Sequence, residues 1–582
     1  MTVKNLTLFA SLLVIGLGVF LYLKNADSLA TNPDASLPTV SNSGDTEVDE
    51  PSSIRFEEIT EAAGISFRHN TGDSPEKPFP AANGSGIVAL DYDLDGYHDL
   101  YFASGKSFPI DTESAEGADA FYRNNGELQF DDVTQAAGLG HRGYSAGVAV
   151  GDFDSDGFPD LYVACFGANV LYHNQGDGTF VEVARVSQTD NGRWATSAVF
   201  VDYDTDGLLD LYVCNYGIWT LETNDYCGDQ QKGVRIFCSP RSVEPEVDAF
   251  YRNGGDGSFK DVISDVIKSN ESEQRLGRGQ GVLAADFNND GQIDLYVAND
   301  LHPNSLYINE GGNFRDESER SGAAYDRSGA GQAGMGLAAA DFNGDGLLDL
   351  FVTNYENEHN TLYENLSNSL FQDVSHIRGL AADSMPWVGW GTAFADFDLD
   401  GGLDLMVTNG HTDSNLIDIG RDSTYDEPAL VWKKSGSRFA IVQSGLGEYF
   451  SKNHVGRALV LVDLDNDGDQ DVVVGHQDDQ PAVLLNTSEQ KRKVVRLRLV
   501  GVDSNRDAIG TRLVLRAGDE TVHHQIMGGG SYLSGHDLRA SFAVPEVDQV
   551  VLEVRWPSGR VSQHSFGASP MLLTIVEPSD AE

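Results

Sequence analysis

Short apolar, β-branched runs recur along this chain in pairs, and each pair is split by the same polar nine-residue stretch. In "GVAVGDFDSDGFPDLYVAC" one apolar run closes at Gly151, acids stand at Asp152, Asp154, Asp156 and Asp160, and a second run follows directly. Strand-like segments bounded by Asp/Gly turns predict β-hairpins. Other lead-in segments read "GIVALDYD", "SAVFVDYD", "GVLAADFN" and "GTAFADFD", and exits read "DLFVT" and "DVVVG". Behind the hairpins come an "LYxN"-type strand, a turn and an "FxDV"-type strand, as in "FYRNNGELQFDDV" from Phe121 and "LYHNQGDGTFVEV" from Leu171. The unit is therefore four strands, and seven units predict an all-β fold, a seven-bladed β-propeller over residues 54–487. The seventh unit lacks its last strand, while "FEEITEAAGI" from Phe56 matches "FDDVTQAAGL" from Phe130 and has no unit of its own. That strand is expected to complete the last blade and remove an open sheet edge.

The hairpin turns carry the candidate chemistry. All seven have Asp at position 1, Asp or Asn at 3, Asp at 5, Gly at 6 and Asp at 9. Oxygens at 1, 3, 5 and 9 with a backbone carbonyl at 7 can wrap a hard cation, and the glycine permits the sharp turn. The first loop supplies Asp91, Asp93, Asp95 and Asp99 with the carbonyl of Tyr97; the second supplies Asp152, Asp154, Asp156 and Asp160 with Phe158. The third has Asp202, Asp204, Asp206 and Asp210 with Leu208; the fourth has Asp286, Asn288, Asp290 and Asp294 with Gln292. The fifth has Asp341, Asn343, Asp345 and Asp349 with Leu347; the sixth has Asp396, Asp398, Asp400 and Asp404 with Gly402. The seventh has Asp463, Asp465, Asp467 and Asp471 with Asp469. An EF-hand would place Glu at position 12 and continue as a helix; here position 12 is Phe102 or valine, inside a strand. The expected cofactor is Ca²⁺, up to seven ions, one per blade, bound as permanent structural parts.

Charge and the chain ends narrow the function. The 582 residues include 39 Lys+Arg against 90 Asp+Glu, a net charge of −51, which argues against a nucleic-acid partner. Leu6 to Leu23 is an 18-residue apolar-to-neutral run after Lys4, and Ser28-Leu29-Ala30 resembles a cleavage site. Residues 1–24 are expected to be a signal-anchor or signal peptide and 25–53 a flexible linker. The protein would be exported and anchored by this helix facing the periplasm or exterior, or secreted if cleaved near Ala30. Cys227 and Cys238 share one irregular insertion and are expected to pair; a disulfide over so short a loop contributes about 2–3 kcal/mol. Cys165 and Cys214 follow strand-like runs and are expected to be buried.

The repeats resemble the FG-GAP/VCBS repeats of the integrin α-subunit propeller, and the chain as a whole is similar to the cartilage acidic protein (ASPIC/UnbV) family. The second half of that resemblance rests on "NRDAIGTR", "GGGSYLS" and "VRWPSG" within residues 491–578, read here as a small β-rich ASPIC/UnbV domain. Phe542-Ala543-Val544-Pro545 departs from the FGLG-like stretch usual there. The resemblance implies a secreted or surface-exposed, calcium-binding propeller.

Loops leading into the first strand of each unit and out of the second gather on the face opposite the acidic turns. They hold Arg142, Arg193, Trp194, Arg278, Trp387, Trp390 and Arg457, residue types that anchor interfaces. The expected function is an extracytoplasmic binding or adhesion platform, a monomer that takes a protein or glycan partner on this face. The alternative is an extracytoplasmic enzyme with an upper-face site built from the same loops and their histidines. No GxSxG, HExxH or Rossmann fingerprint supports one, so the chain is expected not to be an enzyme.

Overall fold

The computed structural model describes residues 52–268, 276–569 and 571–579. The expectation of membrane anchoring is corrected: among the described residues no helix is long and apolar enough to cross a membrane. The run from Leu6 to Leu23, on which that expectation rested, lies outside the described residues.

Seven sheets share one four-stranded plan, here blades I to VII in the order of their acidic loops. Their innermost strands are Ile87–Leu90, Ser145–Gly151, Ala195–Val201, Gly279–Ala285, Leu337–Ala340, Gly389–Ala395 and Gly456–Val462. Each innermost strand touches the next, and that of blade VII returns to that of blade I, closing a ring. These strands are rich in Gly and Ala because neighbouring backbones approach closely; a Cβ on Gly147 or Gly281 would run into the carbonyl of Thr196 or Met335 on the next blade. Phe56–Glu58 pairs antiparallel with Ala482–Asn486 and supplies the fourth strand of blade VII. The first strand described along the chain thus closes the last blade.

A second belt ties the blades together. In six blades the third strand ends in Asn, whose Nδ2 donates to the carbonyl at position 2 of the preceding blade's acidic loop. Asn174 reaches Tyr92 at 2.9 Å, Asn253 reaches Phe153 at 2.7 Å and Asn309 reaches Tyr203 at 2.7 Å. Asn365 reaches Phe287, Asn486 reaches Phe397, and Asn124 of blade I reaches Leu464 of blade VII, each at 2.9 Å. Blade VI has Lys434 instead, and its Nζ donates to the carbonyl of Phe342. The belt runs unbroken through seven links.

Residues after Asn486 form two further sheets. Lys493–Val500 lies between Ala540–Val544 and Met571–Val576; the other sheet holds Arg512–Ala517, Glu520–Gln525, Val550–Arg555 and Val561–Phe566. Their shared core, including Leu497, Leu515, Phe542, Leu552 and Trp556, is continuous with Phe153, Phe200 and Leu209 of blades II and III. The stretch "GGGSYLSGHD" leaves these sheets and enters the ring. Gly528–Gly529 adds to the innermost strand of blade IV, and Ser531 and Leu337 of blade V exchange backbone bonds. Leu533 accepts from the Val148 amide of blade II at 3.0 Å, and Gly535 donates to Ile87 of blade I at 3.3 Å. Ser531 Oγ accepts from Thr392 of blade VI, and Asp537 donates to Leu461 of blade VII at 3.1 Å. One ten-residue segment therefore bonds to six of the seven blades. Gly528 and Gly529 are required because a Cβ there would meet the carbonyls of Phe200 and Val282 at 2.7 and 2.5 Å.

Candidate metal loops

Each acidic loop is built the same way. Position 9 opens the second strand, as in Asp99–Phe102 and Asp160–Cys165, so the loop's last carboxylate is held by the sheet. Both its oxygens accept backbone amides: Asp160 takes Phe153 N–H at 3.1 Å and Asn174 N–H at 2.8 Å. Position 1 accepts the amide of the position-6 glycine, as Asp152 does from Gly157 at 2.8 Å. In blade II positions 3 and 5 each spend one oxygen on a local turn, Asp154 on the Asp156 amide at 3.2 Å and Asp156 on the Phe158 amide at 2.9 Å. Their other oxygens are not used by the turn.

Two left-handed residues turn the carboxylates together. The glycines at position 6 have φ between +86° and +107°. Position 4 is left-handed too, in Leu94, Ser155, Thr205, Asn289, Leu399 and Asn466 as well as Gly344. For a residue such as leucine this costs on the order of 1 kcal/mol, a strain that persists only where the surroundings impose it.

The assembled groups suit a hard cation. Oxygens of Asp91, Asp93 and Asp99 lie within 4.8 Å of one another, as do those of Asp152, Asp154 and Asp160, of Asp202, Asp204 and Asp206, and of Asp396, Asp398 and Asp404. Asp91, Asp204, Asp398 and Asp463 each present a buried Oδ1 with no hydrogen-bond donor. A buried acceptor without a donor is costly, and an all-oxygen set of this spacing fits calcium. Burial and like charge show in the acidity of these carboxyls. Burial pushes the position-9 carboxyls up to about 8 in Asp99, Asp349 and Asp404 and to about 9 in Asp160 and Asp210. Burial and the neighbouring carboxylates also raise Asp152 and Asp202 to about 7.

Basic side chains distinguish the loops. The residue before the belt asparagine faces positions 3 and 5. In blade I Arg123 pairs with Asp93 at 2.7 Å and Asp95 at 3.0 Å; in blade III Arg252 pairs with Asp204 at 2.6 Å and Asp206 at 3.3 Å. In blade II His173 Nε2 is 2.8 Å from Asp154. Blade VI has Lys433 there, and blades IV, V and VII have Ile308, Glu364 and Leu485. The C-terminal sheets add contacts from outside: Arg512 lies 3.3 Å from Asp286, and Arg496 pairs with Asp463.

The opposite face differs from its expectation. Trp194, Arg278, Trp390 and Arg457 are buried, so they present no surface to a partner. Arg457 stacks 3.9 Å above the Trp390 ring and donates to the carbonyls of Gly410, Gly456, Ala82 and His411. Arg278 donates to Val243 O at 2.6 and 2.9 Å, and Trp194 packs in an aromatic cluster with Phe79, Tyr216 and Trp219. Arg142, Arg193 and Trp387 are half-buried; Arg193 donates to Val247 O at 3.0 Å. The histidines proposed for a catalytic face are engaged within their own surroundings, His359 with Asp373 at 3.3 Å and His411 with the Tyr355 hydroxyl at 3.0 Å. Phe79–Ala82, whose four residues are buried, packs among these side chains: Phe79 lies against Trp194 and Tyr216, and the Ala82 carbonyl accepts from Arg457 and Gln477.

What stands exposed is the insertion after blade III's second strand. Cys227 and Cys238 form a disulfide beside the hairpin of Cys227–Asp229 and Val234–Ile236. The insertion reaches blade VI, where Lys232 Nζ donates to Asp418 O at 2.9 Å and Asn415 Nδ2 to Arg235 O at 2.8 Å. Ile218, Leu221 and Tyr226 of the insertion and Ile417 beside it are exposed apolar residues, Ile417 to 76%. Nothing in their local pattern marked them; the pair Cys227 and Cys238 set the insertion apart, but not these apolar residues.

Comparison with known proteins gives two family matches. A model described as FG-GAP-like repeat matches residues 91–163, 152–213, 236–297, 286–352 and 341–407, and one described as ASPIC and UnbV matches 501–582. Cartilage acidic protein 1 of Mus musculus is 25% identical over 353 residues, covering 58% of this chain and 51% of the relative. The Homo sapiens protein of that name is 26% identical over 317 residues, covering 52% and 45%. The chain thus spans about half the length of the curated relatives it matches. Among solved structures, an Agrocybe aegerita lectin that recognises non-reducing terminal N-acetylglucosamine shares 15% identity, covering 70% of this chain and 95% of its own, with a TM-score of 0.39. PorZ, a surface component of the type-IX secretion system of Porphyromonas gingivalis, shares 11%, covering 88% and 60%, with a TM-score of 0.40. At these scores neither likeness bears on function.

Proposed function

The chain belongs to the FG-GAP-like repeat family and carries an ASPIC and UnbV domain, and from that premise we propose that it is a calcium-stabilised propeller that presents a binding surface to a protein or glycan partner. The observation that carries the calcium part is the set of buried carboxylate oxygens without donors, repeated in the loops of blades I, III and VII. A site with calcium at tenfold its dissociation constant stabilises the native state by about 1.4 kcal/mol, and several such loops add up. Elemental analysis and calorimetry test it: bound calcium and a melting temperature lowered by EDTA are expected. A melt unaffected by chelation, with no calcium bound, rejects it.

Binding is attributed to the insertion and its neighbour in blade VI. Exposed apolar residues grouped on a disulfide-held loop suit a contact surface more than a buried core. Glycan and peptide arrays probed in calcium are expected to give hits that weaken at least tenfold in Leu221→Ser/Tyr226→Ser/Ile417→Ser, with an unchanged melt. Hits that persist in that variant assign the partner elsewhere.

A further inference from the structure

We propose that the acidic loop of blade VI is closed by two lysines in place of a calcium ion. This rests on the reading that other loops of the ring take calcium. Lys433 reaches the loop from the blade's third strand and Lys491 from the stretch that leads into Lys493–Val500. Both ammonium groups converge on the same two carboxylates. Lys491 Nζ lies 2.6 Å from Asp398 and 3.5 Å from Asp400; Lys433 Nζ lies 2.9 Å from Asp400 and also pairs with Asp398. Ser53 Oγ donates to that same oxygen of Asp398.

The charge count explains why this loop differs. Two ammonium groups bring the charge of one divalent ion, and they are delivered to positions 3 and 5, where calcium would take its ligand oxygens. A calcium ion approaching Asp398 would meet two like charges already paired with that carboxylate, a repulsion weakly screened in a buried site. Asp398 is fully buried, whereas the position-3 side chains of the other six loops are half-buried or exposed. Blades I and III each bring a single arginine to positions 3 and 5, whereas blade VI brings two ammonium groups from different segments, Lys433 with 27% and Lys491 with 40% of its side chain exposed. Blade VI is also where the belt asparagine is replaced, by Lys434. The substitution has a structural product. The lysine pair ties the segment before the closing strand, through Ser53, to blade VI and to the linker of the C-terminal sheets, with no ion required.

Calcium stoichiometry of the full chain, measured by equilibrium dialysis and elemental analysis, tests the assignment. Asp341→Asn in blade V is expected to lose one equivalent. Asp396→Asn in blade VI is expected to lose none, and Lys433→Met/Lys491→Met to gain one over the wild type. A wild type that binds calcium and loses an equivalent in Asp396→Asn overturns the lysine closure, as does a folded double variant that gains nothing. If the double variant does not fold, Asp396→Asn decides alone. A wild type without calcium overturns the calcium reading itself, a separate failure with a separate signature.

Discussion

Blades V and VI are neighbours with the same hairpin and the same nine-residue loop, yet they solve its charge problem in opposite ways. In blade V, Glu364 stands where blade VI has Lys433, and it turns to Arg378 instead of the loop. Burial pushes the position-9 carboxyl up to about 8 in both blades, Asp349 in V and Asp404 in VI, so the contrast lies at positions 3 and 5. In blade VI burial works against ionisation as well, but hydrogen bonds from Lys433, Lys491 and Ser53 hold Asp398 below the usual carboxylate range. The repeat conserves the cage and leaves the identity of its cation to one or two positions outside it.

The largest expected effect separates the calcium-type loops from the lysine-type one. Stripping calcium at neutral pH removes roughly 1.4 kcal/mol per occupied site, so a fall in melting temperature on the order of 10 °C is expected for several sites. Limited proteolysis of the chelated protein should cut near blade V before blade VI. Equal cutting would remove the distinction.

Acidity gives the next test, because its sign differs between the position-9 carboxyls and Asp398. Asp349 at about 8 and Asp160 at about 9 bind protons more tightly folded than unfolded. Their contribution is fully present below the unfolded pKa near 3.9, and it is lost as pH rises through 8 to 9. The chelated protein should therefore lose stability from about pH 4 upward. Calcium, which binds the ionised form, should abolish that slope. For Asp398, held low, the stabilisation is present above the unfolded value and is lost as pH falls through its lowered folded value. Asp398→Asn should accordingly destabilise at pH 7 and have little effect in strong acid. Calorimetry across pH with and without EDTA reads all three slopes.

The inter-blade belt ranks below these. Asn365→Ala removes the donors to Phe287 O and Leu348 O and is expected to cost about 1–3 kcal/mol through buried acceptors left unpaired. Lys434→Met removes the corresponding link between blades VI and V, and a loss of similar size is expected in denaturant unfolding. A belt variant with wild-type stability would show that the inner strands alone hold the ring.

How much of this was legible in sequence follows from the range of each interaction. The hairpins and the 1-3-5-9 cage are local, so spacing reveals them, and the closing strand at Phe56 was legible because its repeat signature had no unit of its own. The "LYxN" asparagine was visible as a pattern, but its role was not, since Asn365 serves a carbonyl 78 residues away on another blade. Lys491 lies 93 residues from Asp398, in a basic triplet that reads locally as a solvated junction. Left-handed Leu94 and Leu399 run against residue preference and are imposed by the cage. Arg457 and Trp390 looked like surface anchors because arginine is seldom fully buried; the carbonyls and ring that hold Arg457 come from distant segments.

The smallest effect sharpens the comparison most, because Arg123 of blade I lies between the two types. It contacts Asp93 and Asp95 as Lys433 contacts its own loop, but it acts alone and stays substantially exposed. An ion pair in such a position contributes about 0–1 kcal/mol. Without calcium, Arg123→Ala removes an attractive charge from a repulsive cluster, so stability should fall slightly. With calcium present the same change removes a competing cation from the ligand oxygens, so affinity at that loop should rise a few-fold. Opposite signs in EDTA and in calcium, read by calorimetry and calcium titration, place blade I with the calcium-type loops; unchanged calcium affinity would place Arg123 outside the competition.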